Sequence, residues 1–411
     1  MANENLSKAK EAKNDEFYTQ YHDIEKEVSA YLEYNPDVFR GKTVLLPCDD
    51  PEWSNFTKYF AQNFETFGLK KLISTSFAPE SKRYKFGYQP TLFETEAPHF
   101  DADKSKTHGK IFVLDHDVTG DGVINFEDLQ WQYLEGDGDF RSKEICQLRD
   151  QADFIITNPP FSLFREFLAW IVEADKQFLI IGNMNAVTYK EVFPLIKENK
   201  IWYGCSISSG DREFGVPDEY PLTAAGWRID ERGKKYIRVK GVRWFTNLDH
   251  GRRHQQLPLM TMADNLKFSR HKELRGRSSY IHYDNYNAIE VPFTDAIPSD
   301  YEGAMGVPIS FLDKYCPDQF EILGITDRGN AWGLKTKEYS QDEDPKANDL
   351  NRRAAYIEIG GGKSQINSNL RSYFDSKEDL SWLLIPGFDK YDRPYINGNR
   401  MYARLLIRKK Q

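Results

Sequence analysis

Four short segments fix what this chain can fold into. "KTVLLPCDD", "LKKLISTSF", "DFIIT" and "QFLIIGNM" are apolar runs of strand length, with helix-like segments before, between and after them. Strands apolar on both sides belong to a sheet covered on both faces, and such sheets are built from parallel strands joined by helices. The helical segments have the matching period. "EFYTQYHDIEKEVSAYLEY" lines up Tyr21, Ile24, Val28 and Tyr31 or Leu32, and "NFTKYFAQNFETFG" ends on Gly68, a favoured left-handed cap. "SLFREFLAWIVEAD" puts Phe164, Phe167, Leu168 and Ile171 on one face behind Ser162 as a cap, and "YKEVFPLIKENK" follows the last run. The expected fold is α/β with a mostly parallel sheet and helices on both faces. Ligands in such folds sit beyond the carboxyl ends of the strands, where both "PCDD" and "NPPF" fall.

At 411 residues the chain exceeds a single core, so two domains are expected. The strand–helix pattern gives way after about Gly226 to Arg/Lys-rich strands and turns, which sets the expected division at 1–225 and 226–411. The charge is also divided. Net charge is −8, yet Glu94 to Asp139 holds twelve Asp/Glu against three Lys/Arg, an acidic insertion. Gly226 to Tyr280 holds fourteen Lys/Arg against five Asp/Glu. The first stretch repels a polyanion and the second attracts one.

No run approaches the roughly 18 apolar residues that span a bilayer, and the polar start "MANENLSKAKEAKNDE" lacks the apolar centre of a signal peptide. Cys48, Cys146, Cys205 and Cys316 lie far apart, with neither disulfide-frame nor zinc-site spacing. A soluble, cytoplasmic protein without a membrane partner is expected.

"DFIITNPPFSLFREFL" carries the chemistry. Two prolines end the strand and stiffen the turn. An exocyclic aromatic amine is a poor nucleophile because its lone pair is delocalised into the ring. Two acceptors beside it favour a more tetrahedral nitrogen: the Asn158 side-chain carbonyl and the Pro159 backbone carbonyl offer them, preorganised. Phe161 offers a flat face for a stacked base. The structural alternative is a strand-ending Pro-Pro turn beside a core Phe.

In this respect the chain resembles a known family. "TNPPFSLFREF" is similar to the fourth motif of amino-methyltransferases that use S-adenosyl-L-methionine, and specifically of the EcoRI-type adenine-specific DNA N6-methyltransferases. "NDEFYTQYHDIEKE", "VLLPCDDPEWSNF", "GDGDFRS", "FTNLDHGRRH", "GVPISFLDKY" and "MYARLLIRKK" resemble its other recurring segments, in order along most of the chain. The resemblance implies a Rossmann-like class I methyltransferase sheet followed by a target-recognition domain. It implies that Tyr18 and Thr19 lie near the methionine part of the cofactor, and that Asp49 and Asp50 face its amino group. Asp139 would bond the amino group of the cofactor's adenine, with Phe140 beside the ring. Asn158, Pro159 and Phe161 would hold the target adenine. The chain departs from methyltransferases at large in one place: Pro47-Cys48-Asp49-Asp50-Pro51 has no glycine where a glycine-rich turn is usual, a departure EcoRI-type members share. No acidic residue directly after "KKLISTSF" suggests itself for the ribose, and a loop-capping role is the alternative for Asp49 and Asp50.

"RWFTNLDHGRRHQQ" and "KFSRHKELRGRSS" mix cations, aromatics and amides as a duplex-reading surface requires, although any solvated basic face reads similarly. Arg252 and Arg253 are the candidates for DNA contact. His250 and His254 are four apart without a third ligand nearby, which favours structural or phosphate-contacting roles over metal. Asp117, Thr119, Asp121, Gly122, Asn125 and Asp128 fall at calcium-loop positions, with Asp in place of the final Glu; a Gly-Asp hairpin tip is the alternative.

The expectation is a site-specific DNA adenine N6-methyltransferase acting on a flipped-out adenine in double-stranded DNA, in a restriction-modification, phage or solitary system, with a possible cognate restriction endonuclease encoded separately. The alternatives are an RNA-base or protein-glutamine methyltransferase, or an inactive DNA-binding protein of the same fold.

Overall fold

In the computed structural model, residues 17–49, 54–78, 92–208, 211–216, 220, 222, 226–283, 286–326, 394–397 and 399–410 are described. The chain forms two compact units, one of residues 1–186 and 201–251, the other of 187–200 and 252–411.

In chain order the first unit begins with β1 (Tyr18–Thr19), α1 (Tyr21–Tyr34), β2 (Thr43–Leu46), α2 (Asn55–Gln62) and β3 (Lys71–Ser76). β4 (Lys110–Leu114), β5 (Gln130–Tyr133), α3 (Lys143–Gln151), β6 (Phe154–Thr157), α4 (Phe164–Glu173) and β7 (Gln177–Asn183) follow. After α5 (Phe193–Lys197), which belongs to the second unit, come β8 (Trp202–Tyr203), β9 (Asp211–Val216), β10 (Trp227–Ile229), β11 (Lys235–Lys240) and β12 (Val242–Thr246).

The four apolar runs become β2, β3, β6 and β7, the central strands of an eight-stranded sheet ordered β5-β4-β3-β2-β6-β7-β12-β8. They are parallel, with Val44 opposite both Leu72 and Phe154, and Ile155 opposite Phe178. Every residue of β2 and β6 is buried, as continuous apolar composition requires. The sheet is mixed α/β, with antiparallel strands at both edges. The acidic stretch supplies β4 and β5 beyond β3, while β12 and β8 extend the sheet beyond β7. The boundary expected near 226 therefore falls inside the first unit: β12 pairs along β7 from Val242↔Asn183 to Thr246↔Leu179. β2 has β3 on one side and β6 on the other, so the chain reverses its direction of winding there, and a crevice opens at the adjacent carboxyl ends.

A second sheet, ordered β1-β9-β11-β10, is antiparallel throughout. Tyr18 and Thr19, expected inside the first helix, instead pair with Gly215 and Phe214. The helix starts at Tyr21 and buries Ile24, Val28 and Tyr31 as its period predicts, together with Glu27. The Glu27 carboxylate accepts from the Tyr31 hydroxyl at 2.8 Å and the amides of Cys205 and Ser206 at 2.8 and 2.6 Å, while burial raises its pKa. The segment after α2 closes on Gly68 at φ +62°. Ser162 is not the cap of α4: a short 3-10 turn over Phe161–Leu163 intervenes, and Leu163 stands at the cap.

The turn between β4 and β5 spends its carboxylates on its own backbone. Asp128 accepts from the amides of Val118, Thr119 and Asn125, and Asp117 from those of Gly120 and Gly122. Among the described residues no group of three or more His, Cys, Asp or Glu is placed to hold a metal ion.

The second unit holds α6 (Met262–Phe268), capped by the Thr261 side chain, and a sheet of β13 (Ala288–Glu290), β14 (Ala304–Val307), β15 (Phe320–Ile325) and β18 (Leu405–Lys409), ordered β13-β14-β18-β15. A two-stranded hairpin of β16 (Tyr395–Ile396) and β17 (Asn399–Arg400) precedes β18. The Arg404 guanidinium forks onto buried Glu290, which also receives the Tyr283 hydroxyl. Among the described residues no helix is long and apolar enough to cross a membrane.

Candidate active site

The turn after β2 has no glycine, and hydroxyl groups hold it instead. Thr75 Oγ1 donates to the Pro47 carbonyl at 3.1 Å, and the hydroxyls of Ser74 and Thr57 reach the Asp49 carbonyl. The Asp49 side chain is buried at 5% exposure. Its Oδ1 accepts from Ser54 Oγ at 2.6 Å and its Oδ2 from Thr157 Oγ1 at 2.5 Å. Ser54 also caps α2 by accepting from the Phe56 amide at 3.1 Å. One carboxylate thus joins the end of β2, the start of α2 and the end of β6.

Thr157 leads directly into Asn158-Pro159-Pro160, where the prolines end the strand ladder. Asn158 Nδ2 donates to the Phe17 carbonyl at 2.6 Å, which fixes the orientation of the amide. Its Oδ1 is buried and has no hydrogen-bond partner among the described residues. An unsatisfied buried acceptor costs about 1–3 kcal/mol, so this oxygen is suited to a donor from outside the described residues. Pro159 is buried, and the Phe161 ring packs edge-on against Phe17 at 5.5 Å and Phe214 at 6.4 Å.

Opposite this turn, the loop at 136–140 lies against the end of β3. Gly138 has φ +85°, and a Cβ there would stand 2.3 Å from the Ser76 carbonyl oxygen, so the approach requires glycine. Asp139 accepts twice from the Arg141 guanidinium, at Oδ1 from Nε (2.9 Å) and at Oδ2 from Nη2 (2.6 Å), and once at Oδ1 from its backbone amide (2.8 Å). This fork holds its carboxyl below the usual range. Arg141 Nη1 continues to Glu166 at 3.1 Å. Phe140 is buried against Phe167 and Trp170, with centroids at 5.1 and 5.6 Å.

Most of these groups meet around one cleft at the carboxyl ends of β2, β3 and β6; Pro159 and Phe161 are not among the residues that line it. Tyr18, Thr19, Asp49, Asp139, Phe140 and Asn158 all line it. Thr19 Oγ1, like Asn158 Oδ1, is buried without a partner among the described residues. The remaining lining includes Phe17, Ser54 and Arg141, none of which the sequence singled out. The cap position of α2 was the available signal for Ser54. Asp50 lies outside the described residues.

The basic candidates lie elsewhere. Arg252 and Arg253 sit in a 3-10 turn, Gly251–His254, that crosses into the second unit. Arg252 is half-buried. Arg253 is 8% exposed and its Nη2 binds the Asn199 side chain, so it anchors the turn rather than offering its charge to solvent. His250 is buried against the Tyr31 ring, with Nε2 3.0 Å from the Tyr203 carbonyl.

Comparison with known proteins adds a family to this geometry. The model of the family described as adenine-specific methyltransferase EcoRI matches residues 5–410. The chain is 45% identical to the type II methyltransferase M.EcoRI of Escherichia coli over 321 residues, 78% of this chain and 89% of that protein. It is 32% identical over 358 residues to M.MpnI of Mycoplasma pneumoniae (86% and 96% covered) and 32% over 366 residues to M.MgeORF184P of Mycoplasma genitalium (88% and 99%), both named as type II methyltransferases. No solved structure matches significantly.

Proposed function

The chain belongs to the family of EcoRI-type adenine-specific methyltransferases, and from that premise we propose how its cleft works. It is an S-adenosylmethionine-dependent DNA adenine methyltransferase of the restriction-modification type. The cleft suits that donor: its lining includes both the aromatic residues Phe17, Phe77 and Phe140 and the polar residues Thr19, Ser54 and Arg141. When bound, the donor supplies a methyl group activated by a sulfonium.

The chain's own residues do the rest. The target adenine leaves the duplex and stacks on Phe161. Asn158 Oδ1 and the Pro159 carbonyl accept from its amino group, drawing the nitrogen lone pair out of the ring and toward the methyl group. The Asn158 Nδ2 bond to Phe17 keeps the acceptor turned to that task. Tyr18 and Thr19 serve the methionine part of the donor, and Phe140 its adenine ring. Asp49 and Asp50 are assigned to the donor's amino group; Asp49 lines the cleft. Asp139 reaches the donor's adenine amine by sharing its carboxylate with Arg141.

The sheet is the Rossmann-like class I methyltransferase sheet, and the region from 226 onward reads the DNA target, with Arg252 in contact with the duplex and Arg253 supporting it. A separately encoded endonuclease of the same specificity is the expected partner, in the cytoplasm where both meet DNA.

The observation that supports the reading is the buried Asn158 Oδ1 on the cleft, without a partner among the described residues. Asn158→Ala is expected to reduce transfer of labelled methyl groups to duplex DNA at least 1,000-fold while changing donor affinity, measured by calorimetry, less than about 3-fold. Near-normal transfer by the variant contradicts the assignment.

A further inference from the structure

The sheet ordered β1-β9-β11-β10 carries one transverse row of residues from the cleft to open solvent. Thr19 stands opposite Phe214, Phe214 opposite Ile237, and Ile237 opposite Trp227. Directly opposed residues share one face of a sheet, so all four project to the same side. Thr19 lines the cleft with Asn158. Phe214 touches the Phe161 ring at 6.4 Å, and Ile237 is buried beside it. Trp227, at the end of the row, is 49% exposed. Ile229, two residues on and therefore on the same face, is 50% exposed. Strand spacing puts Trp227 about 10 Å from Phe214.

The hairpin that presents them is stiff. On its other face Arg228 forks onto Glu213 at 2.8 and 2.5 Å and lies over the Tyr236 ring at 4.2 Å. In its turn Asp230 accepts from the amides of Arg232 and Lys234 and the hydroxyl of Tyr236, and Gly233 takes φ +80°. The hairpin is also basic. Trp227 to Lys240 holds Arg228, Arg232, Lys234, Lys235, Arg238 and Lys240 against Asp230 and Glu231. An apolar pair on a rigid cationic hairpin is ill suited to water and well suited to a polyanion with an apolar interior, which is a base-paired duplex opened at one step.

We propose that Trp227, supported by Ile229, enters the DNA stack at the position the target adenine vacates. This rests on the reading of the cleft as a DNA adenine site. An adenine seated on Phe161 stays tethered to its strand, so the gap it leaves lies within one nucleotide's length of the pocket. Trp227 is on the same face at that range. Its indole replaces the lost stacking surface and blocks the base's return; stacking of this kind is worth about 5- to 150-fold in affinity.

The test compares methyl transfer by wild type, Trp227→Ala and Trp227→Phe on two duplexes. One is the intact target identified by sequencing methylated DNA from expressing cells; the other lacks the base opposite the target adenine, so that adenine is already unpaired. Trp227→Ala is expected to lower kcat/KM at least 10-fold on the intact duplex and less than 3-fold on the other, with Trp227→Phe close to wild type on both. Equal loss on the two duplexes, or no loss on either, overturns the proposal. So does a Trp227→Ala variant that methylates normally yet sediments as a smaller species than wild type, since that makes the surface a contact between copies. Donor binding by calorimetry verifies folding; should Trp227→Ala fail it, Trp227→Leu, bulky but without a stacking face, carries the same comparison. A wild type that binds donor and transfers nothing to any duplex defeats the underlying reading of the cleft, a result distinct from either overturning pattern.

Discussion

Asp49 shows how a site can be built without the residue type usually used for it. A glycine-rich turn lets a backbone approach a cofactor; here Ser54, Thr57, Ser74, Thr75 and Thr157 fasten a glycine-free turn through its carbonyls and one carboxylate. The Thr157 hydroxyl is the link to the Asn-Pro-Pro turn, since the next residue is Asn158. Thr157→Val keeps the shape and deletes that donor from a buried carboxylate, a loss of about 1–3 kcal/mol. Thr157→Val is expected to lower stability by that amount in urea denaturation and slow methyl transfer more than 10-fold, with Thr157→Ser restoring both. A Val variant equal to wild type in both contradicts the linkage. The place of Asn158 on the cleft was legible because Asn-Pro-Pro-Phe after an apolar strand is a combination with a chemical reason. Thr157 was not, because a β-branched residue at a strand end reads as strand propensity. Arg141 was also hidden: nothing in its neighbourhood announces that it will fork onto Asp139.

Among the elements, β2, β3, β6 and β7 followed from apolar continuity, and α1 and α4 from their period. β1 did not, because two residues carry no periodicity and their partner β9 is nearly two hundred positions away. The loop at 136–140 is held by close approach. Gly138→Ala adds a Cβ 2.3 Å from the Ser76 oxygen at a φ of +85°, which costs upward of about 2 kcal/mol or displaces the loop. Donor affinity is expected to fall at least 10-fold in calorimetry, whereas an unchanged affinity removes this loop from the site. The turn between β4 and β5 resembles a calcium loop in sequence and is a self-capped hairpin tip in space. The backbone amides around Asp128, those of Thr119 and Asn125 foremost, hold its carboxyl down to about 2. A depressed folded pKa stabilises above the unfolded value, near 4, and that contribution fades as pH falls toward 2. The Asp128 carboxyl carbon is expected to titrate near pH 2 by NMR, and a midpoint near 4 contradicts the capped geometry.

At the scale of the whole molecule, the division into two units interleaves in sequence: 187–200 leaves the first unit and 201–251 returns to it. A boundary drawn from composition at 226 could not register this, because basic residues occur both in β10 to β12, which complete the first unit's sheets, and in the second unit. The order of motifs, by contrast, was legible along most of the chain and agrees with the family match over residues 5–410. The central claim is that this fold brings an extruded adenine to Asn158. Sequencing methylated adenines in DNA from cells expressing the protein tests it most directly. N6-methyladenine at one recurring sequence with wild type, and at none with Asn158→Ala, is the expected result; unmodified adenines with a folded, donor-binding wild type, or an unchanged pattern with the variant, contradict it.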